Sequence, residues 1–322
     1  MILRPGEKKM FPRGSSGRIR QVSNRSFVLR MGLLTLGFGV FGTVLLFLGD
    51  DATARSRLYT STPQFKVWAT LIIGVLASLP AVWRVGIDLL RQLSLDLHKV
   101  LRTWIAPSLG FIALVVTAAV LAGEFARGSG SSLYDGVARI GVIYALAVSA
   151  AVPAFVVMWE CYRQLGDDSW TGITQVDEQI TRLLLLRQCL LSALTTVGLL
   201  VSAGVLATGA QRQAVLAEPK YAAPYPSAYV LIWGFAFSGL LVVNFIPAFR
   251  RLTHRANATI DENLPILFPN SEEWQARLQE RQDLASLLKV TSGVKDVITS
   301  AVLVAGPLIS SAFSLFLPGP PS

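Results

Sequence analysis

The chain is 322 residues long, 52% apolar and only 15% charged, against roughly 25% charged in an average soluble domain. A mostly water-facing surface is therefore excluded. The net charge of +9 raises nucleic acid as a partner, but the basic residues are not clustered with aromatics on one soluble module, so that class is set aside.

The apolar residues come in long charge-free runs rather than at the period of a soluble core. In chain order the runs are Met31 to Gly49, Val67 to Trp83, Thr103 to Gly123, Ile140 to Trp159, Gln188 to Gln211, Tyr221 to Phe249 and Val297 to Ser322. A helix of about 20 residues spans roughly 30 Å of hydrocarbon. The pattern predicts an all-α, polytopic membrane protein with about seven crossings and amphipathic helices on its inner face. Of the 29 Lys and Arg, 22 lie in alternate gaps counted from the N-terminal tail and 7 in the others. The positive-inside rule then puts the N-terminus in the cytoplasm and the chain in the cell membrane.

Residues 1 to 30 combine eight basic side chains with Gly, Ser and Pro and read as a disordered cytoplasmic tail; residues 31 to 322 form a single helical membrane domain. The first run also has a rival reading. Ala52-Thr53-Ala54 resembles a signal-peptidase site, yet the basic region and the apolar run are both longer than a signal peptide's, which favours a retained helix.

After the second run, residues 84 to 104 carry Leu90, Leu93, Leu97, Val100, Leu101 and Trp104 at helical spacing, with Asp88, Arg91, Gln92, Lys99 and Arg102 on the other side. This is an amphipathic segment that either lies in the interface or continues the second crossing. Asp167, Asp168, Asp177 and Glu178 follow the fourth run. They lack the spacing of a calcium loop, and Asp177 and Glu178 suit the positive end of a helix dipole. A second amphipathic segment covers residues 271 to 290, entered through Asn270-Ser271-Glu272-Glu273 and carrying Trp274, Leu278, Leu284, Ala285 and Leu288 on one side. The final run has Gly306-Pro307 at its centre, which predicts a kinked crossing, with a re-entrant hairpin as the alternative.

Chemistry-bearing motifs are missing. The chain has no Walker loop, no G-x-S-x-G, no H-E-x-x-H and no Cys-x-x-Cys. Cys161 and Cys189 fall at inner helix ends beside a reducing cytosol, so no disulfide is expected. With His98 and His254 they lie at spacings of 63 and 65 residues, which fit no zinc finger. No cofactor and no metal is expected. None of the seven runs contains an Asp, Glu, Lys, Arg or His, which disfavours a proton-coupled carrier.

Asn244 is the strongest intramembrane polar group, either an interhelical bond or a ligand contact. Gly141-x-x-x-Ala145-x-x-x-Ser149, Gly198-x-x-x-Ser202 and Gly234-x-x-x-Ser238 are small-residue ladders suited to close helix packing. Three functions remain. The first is a non-catalytic scaffold, regulator or complex subunit that docks a cytoplasmic protein or a second copy through Leu93, Leu97, Trp104, Trp274 and Leu278. The second is a channel or carrier for an uncharged or lipid-like substrate. The third is a membrane enzyme acting on a lipid or isoprenoid phosphate.

Overall fold

A computed structural model of the chain describes residues 24–47, 62–93, 98, 100, 102–105, 107–111, 113, 137–166, 170, 175–216, 227–265, 274–288 and 294–315. Among these residues there is helix and turn but no strand. The named helices are α1 (Asn24–Phe47), α2 (Pro63–Leu93), α3 (Val137–Gln164), α4 (Val176–Leu216), α5 (Ser227–Asn263), α6 (Trp274–Leu287) and α7 (Val294–Leu315). Residues 102–105 and 107–111 are also helical.

Five of these helices are long and apolar enough to cross a membrane: α1 to α5, over Leu29–Phe47, Pro63–Leu93, Gly141–Gln164, Val176–Ala214 and Val230–Asn263. The expected count of seven is thus reduced to five among the described residues. The third expected run, Thr103 to Gly123, lies mostly outside them, and the apolar part of α7 described is the shorter Ala301–Phe313.

The helices outrun their apolar stretches because charged residues near the membrane boundary favour helix as well as leucine does. α4 has 41 residues, about 61 Å at 1.5 Å per residue, twice the thickness of a hydrocarbon core. Asp177 and Glu178 occupy its first turn, where they meet the positive end of the helix dipole. α1 begins at Asn24, inside the stretch expected to be an unstructured tail; residues 1–23 and the Ala52-Thr53-Ala54 sequence lie outside the described residues. At α2 the Thr62 hydroxyl accepts from the Phe65 amide at 3.2 Å, an N-cap followed by Pro63 at the first helical position.

α4 is the hub, packing against α2, α3, α5 and α7. Its fully buried positions Leu186, Cys189, Leu190, Ala193, Leu194 and Val197 recur at helical period along one side. α1 packs on α2, and only 11% of its membrane window is buried, against 50% for α3. Its exposed Leu33, Leu36 and Val40 suit lipid rather than protein, placing α1 at the periphery. α2 and α3 run in the same direction: Gly86 meets Pro153 and the Leu93 carbonyl meets Gln164. α3 therefore starts at the opposite end of the bundle from where α2 finishes.

α7 runs as one helix through Gly306-Pro307, so the hairpin alternative is not what these residues form. Pro307 has no N–H to give the Leu303 carbonyl. That oxygen faces α4, where a Cβ added to Gly198 would lie 3.2 Å from it. A Cβ on Gly234 of α5 would lie 2.8 Å from Ser311 Cβ and 3.1 Å from the Pro307 oxygen. Glycine at both positions lets α4 and α5 close on the proline-containing helix.

Candidate functional site

The charged ends of α2 to α5 meet in one junction, and its centre is Glu160. This residue sits one position beyond an apolar run and is 1% exposed. A buried carboxylate is costly unless donors surround it. Glu160 Oε2 accepts from Trp104 Nε1 at 3.2 Å and from Arg163 Nε at 2.9 Å. Glu160 Oε1 accepts from Arg163 Nη2 at 2.5 Å and from Gln164 Nε2 at 2.7 Å. An ionised carboxylate offers about four lone-pair sites; here four donors of the same chain occupy it. The carboxylate thus joins Trp104 to the end of α3.

The junction extends in both directions. Gln164 Nε2 also reaches the Leu93 carbonyl at 3.1 Å, tying α3 to the end of α2. The Trp170 indole donates to the Gln164 carbonyl at 2.9 Å. Its ring lies beneath the guanidinium of Arg182 from α4 at 5.0 Å and that of Arg255 from α5 at 4.9 Å. Such cation–π contacts are worth about 0.5–2 kcal/mol each. Arg251 of α5 lies 3.7 Å from the Tyr162 ring centroid and donates to the Tyr162 carbonyl at 3.2 Å.

Toward the membrane interior, Trp104 packs on Trp159 with centroids 5.3 Å apart. The Trp159 indole donates to Asn244 Oδ1 at 2.6 Å, and Asn244 Nδ2 donates to the Leu240 carbonyl at 2.7 Å. Asn244 is accordingly an interhelical bond between α3 and α5. Ser149, Thr195 and Thr196 each bond to the carbonyl one turn back on their own helix, as small hydroxyls do in apolar surroundings.

The structure separates the docking residues read from the sequence. Leu93 and Trp104 are joined through Gln164 and Glu160 inside the junction, and Leu97 lies outside the described residues. Trp274 and Leu278 stand apart on α6, which packs on α5. There Arg281 pairs with Asp261 at 2.6 Å and bonds the Leu264 carbonyl. Leu278 is 41% exposed. Residues 84–93 belong to α2 itself rather than to a separate interfacial helix.

Sequence reasoning passed over Glu160, Arg163, Gln164 and Trp170. A detectable signal was present: Glu160, Arg163 and Gln164 stand at i, i+3 and i+4, on one helix face. Both cysteines are buried free thiols. Among the described residues no group of three or more His, Cys, Asp or Glu could hold a metal ion. Compared with known protein families, with curated proteins and with solved structures, the chain matches none.

Proposed function

We propose that the chain is a non-catalytic scaffold or complex subunit of the cell membrane, with the N-terminus and the charged junction cytoplasmic, docking a protein partner through α6. The observation that carries this reading is the contrast at the charged end. Glu160 there accepts from Arg163 and Gln164 of its own helix and from Trp104 of another segment. By contrast α6 is anchored by Arg281 and leaves Leu278 exposed beside the half-buried Trp274, an i,i+4 apolar pair of the kind that seats on a partner. The parallel course of α2 and α3 supports a further crossing over Thr103 to Gly123, and the unbroken α7 supports a seventh.

A photo-crosslinking side chain at Leu278, expressed in native membranes, tests the docking role. The expected result is a discrete protein adduct that the Trp274→Ala background weakens and that the same probe at lipid-facing Val243 does not form. Adducts equal at the two positions, or none at Leu278, overturn the reading. In the same cells a thiol at Ser271 is shielded from an impermeant reagent while one at Ser129 reacts; the reverse pattern inverts the orientation.

A further inference from the structure

A groove of about 480 Å³ opens between α1, α2 and α3. Phe38 of α1, Leu79 and Trp83 of α2 and Leu146 of α3 line its apolar length. Its charged-end rim carries Arg84, Asp88 and Arg91. Asp88 sits between the two arginines, 3.3 Å from Arg84 Nε and 3.1 Å from Arg91 Nη1, and both arginine side chains remain exposed to a large degree, 43% and 62%. Two guanidinium groups against one carboxylate leave the rim net positive, with Arg30 one residue before groove-lining Met31.

The distribution of chemistry along the groove matches one molecule. The apolar lining rises about 10 Å along α1 from Met31 to Phe38, within the roughly 15 Å depth of one leaflet's hydrocarbon. A chain-like apolar ligand fits the length, and an anionic head fits the planar, multiply donating guanidinium pair. A headgroup of net negative charge gains more from that rim than a zwitterionic one, whose cation is repelled by the same guanidinium groups that hold its phosphate. Arg84 and Arg91 stand on the same helix as the apolar wall, so head and tail contacts come from one rigid element.

We infer that the groove between α1, α2 and α3 is a binding site for a single anionic phospholipid, with an acyl chain along Phe38, Leu79 and Trp83 and the phosphate at Arg84 and Arg91. The site stands apart from the proposed docking role of α6 and does not depend on it.

Native mass spectrometry of the full-length chain in detergent, titrated with phosphatidylglycerol or phosphatidylcholine of identical acyl chains, tests it. The expected result is retention of one phosphatidylglycerol about tenfold or more over phosphatidylcholine. The Arg84→Gln/Arg91→Gln variant drops to the phosphatidylcholine level, and Asp88→Asn, which removes the competing carboxylate, retains phosphatidylglycerol more strongly. Bromination of the phosphatidylglycerol chains quenches the fluorescence that Trp83→Phe removes. Equal retention of the two lipids, unchanged retention in the double arginine variant, or competition by glycerol phosphate as effective as that by the intact lipid overturns the site. Weaker phosphatidylglycerol retention in Asp88→Asn does the same, and needs no result from the arginine variant.

Discussion

Two regions of the bundle bring helices together by opposite means. At the charged end, contact is made through long side chains: Trp104 reaches Glu160, Gln164 reaches the Leu93 carbonyl, and both Arg182 and Arg255 reach the Trp170 ring. In the seam where α4 and α5 meet α7, contact comes from side chains being absent: Gly198 faces the Leu303 carbonyl, Gly234 faces Ser311 and Gly306 faces Ser202. The difference follows from the surroundings. Near the boundary a polar group loses water only in part and finds partners, so ion pairs and indoles serve as spacers. In hydrocarbon there is no hydrophobic force between helices, and close backbone approach supplies the attraction. A single mutation therefore acts through overpacking in the seam and through an unmet donor at the charged end.

The largest effect belongs to the seam. Gly234→Leu places its Cβ about where Ser311 Cβ and the Pro307 oxygen already stand, 2.8 and 3.1 Å away. Backbone and a Cβ cannot swing aside, so the cost should reach about 3 kcal/mol or more. A large drop in the thermal midpoint in detergent, with loss of the monodisperse species, is expected. Gly239 lies on the same helix with nothing within 4 Å of an added Cβ. Gly239→Leu therefore has no clash and gains helix propensity, of order 0.5–1 kcal/mol. If the two variants behave alike, the seam is not held by close approach.

The charged end should respond more moderately. Glu160→Leu keeps the volume but strips the acceptor from Trp104 Nε1 and leaves Gln164 only the Leu93 carbonyl. Unmet buried donors cost about 1–3 kcal/mol. The Arg163 side chain is 57% exposed and turns to water, which is why the loss stays below that of severing a fully buried ion pair. Glu160→Gln, which retains an acceptor oxygen, should recover part of the stability. A thermal midpoint for Glu160→Leu equal to that of the unmodified chain would remove the carboxylate from the account of this end.

The apolar runs marked α1 to α5 in the sequence because a membrane helix declares itself by unbroken length, a local property. The junction was less visible, because Trp104 and Glu160 are 56 positions apart and no local pattern pairs them. Trp104 sat on an apolar stripe that read as a docking face; its indole N–H, which needs a partner when buried, was the available hint that it points inward. The ladders at Gly198 and Gly234 were readable as close-approach faces, although their common partner α7 was not. α6 was foreseen from the Asn270-Ser271-Glu272-Glu273 entry, which lies outside the described residues; the described helix starts at Trp274, and its Arg277 pairs with Glu280 at 3.3 Å.

The smallest effect lies where the two regions meet, at the bond from Trp159 to Asn244. Interhelical hydrogen bonds between membrane helices average about 0.6 kcal/mol and reach about 1.7, because each partner finds others once separated. Asn244 keeps its bond to the Leu240 carbonyl in any case, and Trp159 keeps its packing on Trp104 and Phe111. Trp159→Phe and Asn244→Leu should therefore each lower stability by about 1 kcal/mol, and a double-mutant cycle should return a coupling of about 0.6–1.7 kcal/mol. A coupling near zero would mean that Asn244 is there for something other than α3. The cycle thus separates the scaffold from the carrier: an amide that lines a solute path loses a ligand contact when replaced, and its cost would not depend on whether Trp159 is present.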